Sequence, residues 1–465
     1  MTEPLRALLD QLRPRFDALY DAATHLVWNP PGSLDDEGVP GRSLHQVPQS
    51  AWFALDLAHR GDHERAAAVV DALLGLQYDA PGTPWHGTFA RFAEAPEPGQ
   101  DAVEWEDYDP NWRQFVGIAL RLLLTRHPEA VDGPLRARVE DAIELAARGE
   151  QASERLNWWY TNIALQHAWL LVEGGHVEAG EELAERVVDG WREHHSFQEF
   201  NSPTYDGVDL WALALWRGHS GSERLRAWGA ELEAGLWATV ASRYHAGLRN
   251  VAGPYSRAYG LDLDRYVGKV GLLIAGAAGV EGAPLPDLGA EVIAHGHDLQ
   301  SLPTLALAPP VVTDDVRAHL QSFQGERTVR EVISSWPTRR EASGWLSEDL
   351  MVGAESGDSD WLGWYQFVAG TVHWRRPDGA IGVLRYVPDG PPRGRAEPGV
   401  LRIGGPGRIE VHEPEPPGVL HATTRRAGDP GVEVLDPGRT ALPGLAVDLR
   451  NDHDGMVLEI ANVGS

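Results

Sequence analysis

Polar and aromatic side chains occur together in four segments of the chain, in combinations that packing alone does not require. Tyrosine, histidine, asparagine and carboxylate side chains are suited to proton transfer or to neutralising charge, and tryptophan offers a flat apolar face to a sugar ring. The segments are residues 84–89, 156–163, 194–207 and 253–259. They predict an aromatic-lined groove that binds a carbohydrate.

The aromatic content supports this prediction. The chain contains 18 tryptophans, and several of them lie in polar, loop-like stretches. The candidate substrate-binding residues are Trp85, His86, Trp112, Trp158, Trp159, Tyr255 and Tyr259. Each of them also has the alternative interpretation of a residue that fills the core or the rim of the fold, as large aromatic residues commonly do.

The composition of the 465-residue chain narrows the classes of function and of partner. A formal net charge of −28 repels nucleic acid and anionic membranes at long range. The absence of cysteine excludes disulfides, thiol nucleophiles and thiolate metal sites. A zinc site formed by His86 and His195 lacks the spacing typical of metal ligands, so we predict neither a metal nor another cofactor.

The first residues begin an amphipathic helix and lack the basic start and the apolar stretch of a signal peptide. No apolar run approaches the ~20 residues that are needed to cross a bilayer. These patterns predict a cytoplasmic protein that is not inserted in a membrane.

The candidate residues must be positioned by helices in the first part of the chain. In one helical hairpin, Gly61 ends a helix and Asp62 caps the next, which continues with Ala66, Val69 and Leu73 at helical spacing. Asp109-Pro110 is interpreted in the same way, as a cap followed by proline at the first helical position.

This pattern repeats at intervals of roughly fifty residues. Hairpins begin near residues 45, 110, 157, 207 and 259, after an additional helix over residues 3–26. Because a helical hairpin cannot bury both of its faces alone, a tandem series must stack as a solenoid or close into a ring. We predict an (α/α) toroid for residues 1–305, with the catalytic site at one end of its inner helices.

A different pattern predicts an antiparallel, β-sandwich-like domain for residues 306–465, and hence an α+β multidomain protein. Glycine and proline become frequent there, and short segments alternate between apolar and polar residues. The predicted strands are residues 328–333, 367–374, 381–386, 432–435, 445–449 and 456–460. The glycines of residues 404–407 predict a hairpin turn, because they do not lie between a strand and a helix.

Three short motifs resemble the helical-toroid polysaccharide lyases of the chondroitin AC lyase and hyaluronate lyase type. The motifs are Asn157-Trp158-Trp159, then Ser196-Phe197 followed by Tyr205 and Gly207 at matching spacing, and Tyr255-Ser256-Arg257 in the place of an arginine cluster. The order of a helical ring followed by a β domain is similar as well. Two positions differ from the family pattern, because Phe200 replaces a histidine and Asn162 replaces an acidic residue.

The resemblance implies a lyase that cleaves uronic-acid-containing oligosaccharides or polysaccharides by β-elimination. In this reaction a base removes the proton next to a carboxylate whose charge has been neutralised. Tyr205 is the implied base and acid, and Arg257 beside the phenol would favour its ionised form. Asn157, Asn201 and His195 are the candidates for neutralising the charge, and Tyr255 is the alternative tyrosine.

Two other functions fit the same residues. A glycoside hydrolase on the same scaffold requires two carboxylates across the scissile bond. The candidates for this pair are Glu199, Asp206 and Asp209, with Asp107 and Asp109 on a neighbouring loop. The third interpretation is a toroid that binds a glycan without turnover, and Phe200 in the place of the family's histidine supports it.

Overall fold

The computed structural model describes residues 2–30, 44–335, 338–414, 422–453 and 455–462. Within these residues the protein consists of helices and antiparallel sheets, so the predicted α+β class is confirmed. None of the helices in the described ranges is both long enough and apolar enough to span a bilayer. The closure of the hairpins into a toroid stays a prediction.

The helices occupy mainly the first two thirds of the chain. They are α1 (Glu3–Ala18), α2 (Val47–His59), α3 (His63–Leu74), α4 (Trp112–Arg126), α5 (Gly133–Ser153), α6 (Thr161–Glu173), α7 (Val177–His194), α8 (Asp206–His219), α9 (Glu223–Arg243), α10 (Lys269–Ala278), α11 (Leu302–Leu307) and α12 (Asp314–Gln321). Short 3-10 helices occur at Pro128–Ala130, Gly296–Ser301 and Ala422–Thr424.

The longer strands follow α12. Five short strands occur earlier in the chain, namely β1 (Tyr20–Asp21), β2 (Leu26–Trp28), β3 (His45–Gln46), β4 (Tyr244–His245) and β5 (Asn250–Val251). The remaining strands are β6 (Arg327–Ser334), β7 (Arg340–Ser347), β8 (Leu350–Ser356), β9 (Gly370–Arg375), β10 (Ile381–Pro388), β11 (Gly394–Glu397), β12 (Val400–Gly404), β13 (Gly407–His412), β14 (Val432–Val434), β15 (Gly438–Leu442), β16 (Leu445–Asp452) and β17 (Gly455–Asn462).

The chain divides into two compact units. The first comprises Met1–Val188, Trp211–Glu231 and His295–Pro310, and the second comprises Asp189–Leu210, Leu232–Ala294 and Val311–Ser465. The domain boundary that we predict between residues 305 and 306 stays a prediction.

Stacked helical hairpins form the first unit. Helices α2, α4 and α6 follow one another as neighbours, and α3 and α5 pack beside them. Every residue of α6 from Thr161 to Val172 is buried, whereas α3 buries only the stripe of Ala66, Val69, Val70 and Leu73. This difference is typical of an inner and an outer layer of helices. At the start of α3, Asp62 accepts a hydrogen bond from the Arg65 N–H, as the sequence predicts.

Several helix boundaries differ from the prediction. The first helix ends at Ala18 rather than near residue 26 and is followed by the hairpin of β1 and β2. Helix α4 begins at Trp112, because the Asp109 carboxylate accepts a hydrogen bond from the Asn111 N–H (2.8 Å) in a turn that precedes the helix. The hairpin predicted near residue 259 is wrong, since residues 259–268 form turns and α10 begins only at Lys269.

Two antiparallel sheets form the β part of the second unit. The seven-stranded sheet has the order β14-β13-β10-β9-β8-β7-β6, and the five-stranded sheet has the order β11-β12-β17-β16-β15. Side chains from both sheets form one hydrophobic core, which includes Val352, Trp374, Leu401 and Leu458. Residues 404–407 do not form the hairpin turn that we predict, because β12 and β13 lie in different sheets.

Candidate functional site

The phenol of Tyr205 and the guanidinium of Arg257 meet in the second unit. Arg257 Nη2 donates a hydrogen bond to the Tyr205 hydroxyl (2.7 Å). The same hydroxyl lies 2.7 Å from that of Tyr259. The structure therefore joins three of the predicted site residues, although Tyr205 is more than fifty positions away from Arg257 and Tyr259 in the chain. Tyr205 is half-buried, whereas Arg257 is buried.

Arg257 is held by partners on its other nitrogens as well. Its Nη1 donates to Glu199 Oε1 (2.8 Å) and its Nε donates to Gln366 Oε1 (2.7 Å). Glu199 and Gln366 are both buried. Such charge-assisted hydrogen bonds in a poorly solvated site hold the guanidinium plane in one orientation. The position of the Arg257 charge relative to the Tyr205 phenol is therefore set by the surrounding fold.

Hydrogen bonds between two loops, residues 201–205 and residues 252–257, hold these residues in place. The Asn201 side-chain amide donates to the carbonyls of Ala252 (2.8 Å) and Pro254 (2.6 Å), and Asn201 itself adopts a positive φ of 50°. Ser202 Oγ donates to the Arg257 carbonyl (2.6 Å) and accepts from the Tyr205 N–H (3.0 Å). Asn201 thus directs its amide hydrogens to backbone, which makes it a residue that organises the site.

An aromatic segment borders the cluster. The Arg257 guanidinium carbon lies 5.5 Å from the ring centre of Trp361 and 5.9 Å from that of Trp364. Gln366, which accepts from Arg257, donates through Nε2 to the Tyr365 hydroxyl (2.8 Å). Trp361 is buried, but Trp364 is 46% exposed and Tyr365 38% exposed. Two aromatic faces are consequently accessible beside the buried charge.

Two carboxyl groups of the cluster have different environments. Burial, together with the nearby Glu199 charge, raises the pKa of Asp206 to about 8, although the hydrogen bond from the Ser202 N–H lowers it. Glu199 is instead compensated by its ion pair with Arg257. The cluster therefore combines a carboxyl group with a raised pKa, that of Asp206, with the Glu199–Arg257 ion pair.

Two further predicted residues of the second unit lie differently. His195 is exposed immediately after the end of α7, with a φ of 54°. Tyr255 is only 2% exposed, and its hydroxyl donates to the Val251 carbonyl (2.5 Å). Tyr255 is therefore packed in the interior, whereas the half-buried Tyr205 contacts Arg257.

Asn157, Trp158 and Trp159 belong to the first unit. Asn157 is exposed in a turn before α6, and its amide donates to the Arg155 carbonyl at 3.4 Å. Trp158 and Trp159 are half-buried beside it. Helix α6 begins at Thr161, so the Asn-Trp-Trp motif precedes the helix rather than opening it. The catalytic role of Asn157 stays a prediction.

Arg113 holds the loop that contains Trp85 and His86 by hydrogen bonds to its backbone. Arg113 donates to the His86 carbonyl through Nε (3.0 Å) and Nη2 (2.8 Å), and to Glu150 through Nη1 (3.2 Å). Trp85 is buried against Tyr108, with ring centres 5.6 Å apart. Trp85 therefore contributes to the core of the first unit, and His86 is half-buried.

Trp112 is half-buried at the start of α4, and its ring centre lies 5.6 Å from that of Phe115. Close to it in the chain, Gln114 donates a hydrogen bond to Glu150 (2.9 Å). Arg155 donates to the same carboxylate (3.1 Å), as Arg113 does. The charges of Arg155, His167 and Arg113 outweigh the effect of burial and hold the pKa of Glu150 below its usual range. This buried network supports the end of the first unit that carries Trp112.

The other predicted carboxylates are distributed over both units. Asp209 is buried in α8. In the first unit, Asp107 accepts a hydrogen bond from the Val103 N–H (2.7 Å), and burial raises the pKa of Asp109. Asp107 and Asp109 therefore organise a loop of the first unit. Glu199 and Asp206 belong instead to the Tyr205 cluster, the group of side chains around Tyr205 and Arg257.

One group in the described part of the chain has the composition of a metal site. His295, His297 and Asp298 of the first unit each offer a ligand atom, and these atoms lie within 4.8 Å of one another. His295 Nδ1 is 3.9 Å from Asp298 Oδ2, and His297 Nε2 is 4.0 Å from Asp298 Oδ1.

Two parts of these clusters were not predicted from the sequence, although signals for both were present. Residues 361–366 combine aromatic and polar side chains in a loop, which is the pattern used to select the other segments. The spacing of His295-Gly296-His297-Asp298 brings two imidazoles and a carboxylate within four positions.

Comparison with known proteins identifies a family. The family described as "Domain of unknown function (DUF8769)" matches residues 8–310, which is more than half of the chain. None of the curated proteins matches it. The matched range contains Tyr205, Arg257 and the group at residues 295–298, whereas Gln366 and the exposed aromatic residues lie outside it. The chain therefore belongs to the DUF8769 family.

Proposed function

We propose that this protein is a carbohydrate-active lyase that cleaves uronic-acid-containing oligosaccharides or polysaccharides by β-elimination. The observation that carries the proposal is the 2.7 Å hydrogen bond from Arg257 to a half-buried phenol, that of Tyr205. The resemblance of the motifs at residues 157–159, 196–207 and 255–257 to toroid lyases supports it. We also propose that the helical hairpins close into an (α/α) toroid, as they do in those lyases.

In this mechanism the Tyr205 phenolate takes the proton from the carbon next to the substrate carboxylate. The electron pair of that C–H bond forms a C=C double bond, and the glycosidic C–O bond breaks. The neutral phenol then returns the proton to the leaving oxygen, so that base and acid are one residue. Arg257 stabilises the phenolate by its charge and acts as a positioning residue, since its nitrogens are engaged with Glu199, Tyr205 and Gln366.

The exposed aromatic pair gives the substrate a surface on which to stack. Trp364 and Tyr365 are the exposed members of the segment that leads to Gln366. Apolar faces of this size match the C–H face of a pyranose ring, while its hydroxyl groups stay in contact with water and polar side chains. A sugar on this surface lies beside the Tyr205–Arg257 pair, because Gln366 contacts both Arg257 and Tyr365.

The test is the release of an unsaturated product by the full chain. Chondroitin, hyaluronan, alginate and pectate are each incubated with the protein, and the ultraviolet absorbance of the conjugated C=C–carboxylate group is recorded. We expect Tyr205→Phe to lower the rate by about 100-fold or more, the usual contribution of a positioned base. Tyr255→Phe is the matched control, because Tyr255 is a buried tyrosine of the same unit. Absence of this absorbance with every substrate would contradict the proposal.

A glycoside hydrolase is the second candidate, and one observation favours it. Asp206 has a pKa raised to about 8, while Glu199 is paired with Arg257, and hydrolysis requires such a pair of one protonated and one ionised carboxyl group. A hydrolase produces new reducing ends without ultraviolet absorbance. It also loses activity in Asp206→Asn and keeps it in Tyr205→Phe, which is the opposite of the result expected for the lyase.

A further inference from the structure

We propose that His295, His297 and Asp298 bind one divalent transition-metal ion of the zinc type. In the described ranges this is the group of histidine and carboxylate side chains whose ligand atoms converge to within 4.8 Å. All three residues belong to the first unit. The proposal is independent of the Tyr205 cluster and of the lyase reaction.

The backbone brings the three side chains to one point. The Asp298 N–H donates to the His295 carbonyl (2.9 Å), which closes a tight turn at the start of the 3-10 helix Gly296–Ser301. His295 adopts a φ of 55°, a left-handed conformation that is uncommon for histidine. As a result, the imidazoles of His295 and His297 lie with ring centres 5.1 Å apart.

The separations suit an ion better than they suit direct hydrogen bonds. The His295–Asp298 and His297–Asp298 distances of 3.9 and 4.0 Å exceed the length of a hydrogen bond. Ligand atoms at about 2.1 Å from one ion are at most ~4.2 Å apart, so both distances fall within reach of a shared ion. All ligand atoms of the group lie within 4.8 Å of one another, so the side chains need to close by at most about 0.6 Å to share one ion.

His45, another histidine of the first unit, is arranged differently relative to its carboxylate neighbours. His45 Nδ1 lies 2.5 Å from Glu94 Oε1 and its Nε2 lies 3.1 Å from Asp21 Oδ2. These are direct hydrogen bonds, and the His45 ring also stacks on Trp28 at 3.5 Å. The His45 imidazole is therefore bonded directly to its two carboxylates, whereas the His295–Asp298 and His297–Asp298 distances are 3.9 and 4.0 Å.

The ligand types select the class of ion. Two imidazole nitrogens and one carboxylate oxygen suit zinc and neighbouring transition metals, while magnesium and calcium prefer sites made of oxygen atoms. The three ligands come from four consecutive positions, so the ion does not cross-link distant segments. Three protein ligands leave coordination positions for water or for a small ligand, as in metal sites that act on an exogenous molecule.

Accessibility agrees with this interpretation. The His295 side chain is almost fully buried, with 4% exposed, whereas that of His297 is 20% exposed and that of Asp298 12%. An ion can therefore approach from the side of His297 and Asp298. A neutral histidine and an ionised carboxylate are required for binding, so affinity should fall in acidic solution.

The experiment is calorimetric titration of the metal-stripped full chain with zinc chloride, followed by cobalt(II) titration with recording of the visible spectrum. We expect one zinc ion per chain. Loss of an outer-shell partner costs about 10–100-fold in affinity, so loss of a ligand in His297→Gln or Asp298→Asn should cost roughly 100-fold or more. Both variants retain side-chain size at the accessible ligands, and circular dichroism verifies their fold.

His176→Gln is the matched control, because His176 is a partly exposed histidine that contacts Glu144 at 2.8 Å in the same unit. This variant should bind zinc like the unaltered chain, and magnesium should give no binding heat in either. The proposal is overturned if the unaltered chain binds no stoichiometric zinc, or if His297→Gln and Asp298→Asn bind as the unaltered chain does. A loss of affinity in His176→Gln of the same size would also overturn it.

Discussion

Arg257 connects the residues of the candidate site through three hydrogen bonds in one plane. Its partners come from two segments that are far apart in the chain, one with Glu199 and Tyr205 and the other with Gln366. Lysine would supply the charge without the planar arrangement of donors, so it could not hold all three partners together. The geometry of the phenol therefore depends on arginine at this position and not only on a positive charge.

Asp206 provides a test of the charge distribution in this cluster. Its folded-state pKa of about 8 exceeds the unfolded value of 3.8, so the folded state binds the additional proton between about pH 4 and pH 8. Stability should consequently fall as pH rises through this window, by at most about 1.4 kcal/mol per pH unit for this group. Asp206→Asn resembles the protonated carboxyl group and should remove this dependence.

The measurement is the free energy of unfolding in urea at several pH values for the unaltered chain and for Asp206→Asn. Glu341→Gln is a suitable control, because Glu341 is an exposed carboxylate of the same unit. Equal pH profiles for Asp206→Asn and the unaltered chain would show that Asp206 is ionised at neutral pH.

The resemblance to toroid lyases predicted more of the candidate site than the chemistry of single residues did. The spacing of the motifs selected Tyr205 and Arg257, the aromatic and polar segment 253–259 selected Tyr259, and the structure brings these three together. Tyr255 is buried instead, in a segment whose residues 251–258 are all buried. Gln366 and Trp364 were missed although their loop has the aromatic and polar pattern of the other segments, and only the tertiary fold shows that this loop lies next to Arg257.

Among the secondary-structure elements, the sequence predicted those with a strong period and a defined end. Helix α3 and strands β6, β10 and β17 lie where the patterns of apolar residues place them. Errors occurred where local polar contacts compete with the helix, as at Asp109, and where tight turns replace a helix at residues 259–268. Pairing was less predictable still, since strand patterns do not reveal that residues 404–407 connect two sheets.

The close approach of β8 to a site loop gives a prediction at this scale. A Cβ atom on Gly353 would lie 1.8 Å from the Gly253 carbonyl oxygen, which belongs to the loop that leads to Arg257. Gly353→Ala must therefore displace that loop. We expect a loss of stability of about 1–3 kcal/mol or more, together with a loss of the activity assigned to Tyr205.

Gly390→Ala is the control for this change, since a Cβ atom on Gly390 would meet no atom within 4 Å. Urea unfolding of the two variants measures the difference. A Gly353→Ala protein that unfolds at the same urea concentration as Gly390→Ala would show that the loop and β8 are not held in contact.

At the scale of the whole molecule, composition predicted the fold class but not how the chain is divided. The change from helical periods to short alternating strands indicates an α+β protein, which the structure confirms. The two compact units nevertheless each contain segments from separate parts of the chain. Such interleaving depends on long-range contacts, and local periodicity contains no information about them.

The net charge of −28 predicts a salt dependence of stability. Repulsion among like charges destabilises the compact state, and raising the ionic strength from about 0.01 M to about 0.15 M shortens the screening length from ~30 to ~8 Å. The midpoint of thermal unfolding should therefore rise, by about 2–4 °C for each kcal/mol of repulsion removed. Sodium and potassium chloride should act equally, and a midpoint that falls with either salt would contradict the prediction.

The position of β17 affects how the protein is made in the cell. This strand (Gly455–Asn462) is the middle member of the five-stranded sheet, with β12 on one side and β16 on the other. A ribosome synthesises it after every other strand of that sheet, so the sheet can be completed only once residue 462 has emerged. Until then β12 has an unpaired edge, which is a template for association with other nascent chains. Chaperone dependence during translation should accordingly be concentrated in the interval between the synthesis of β12 and the emergence of β17.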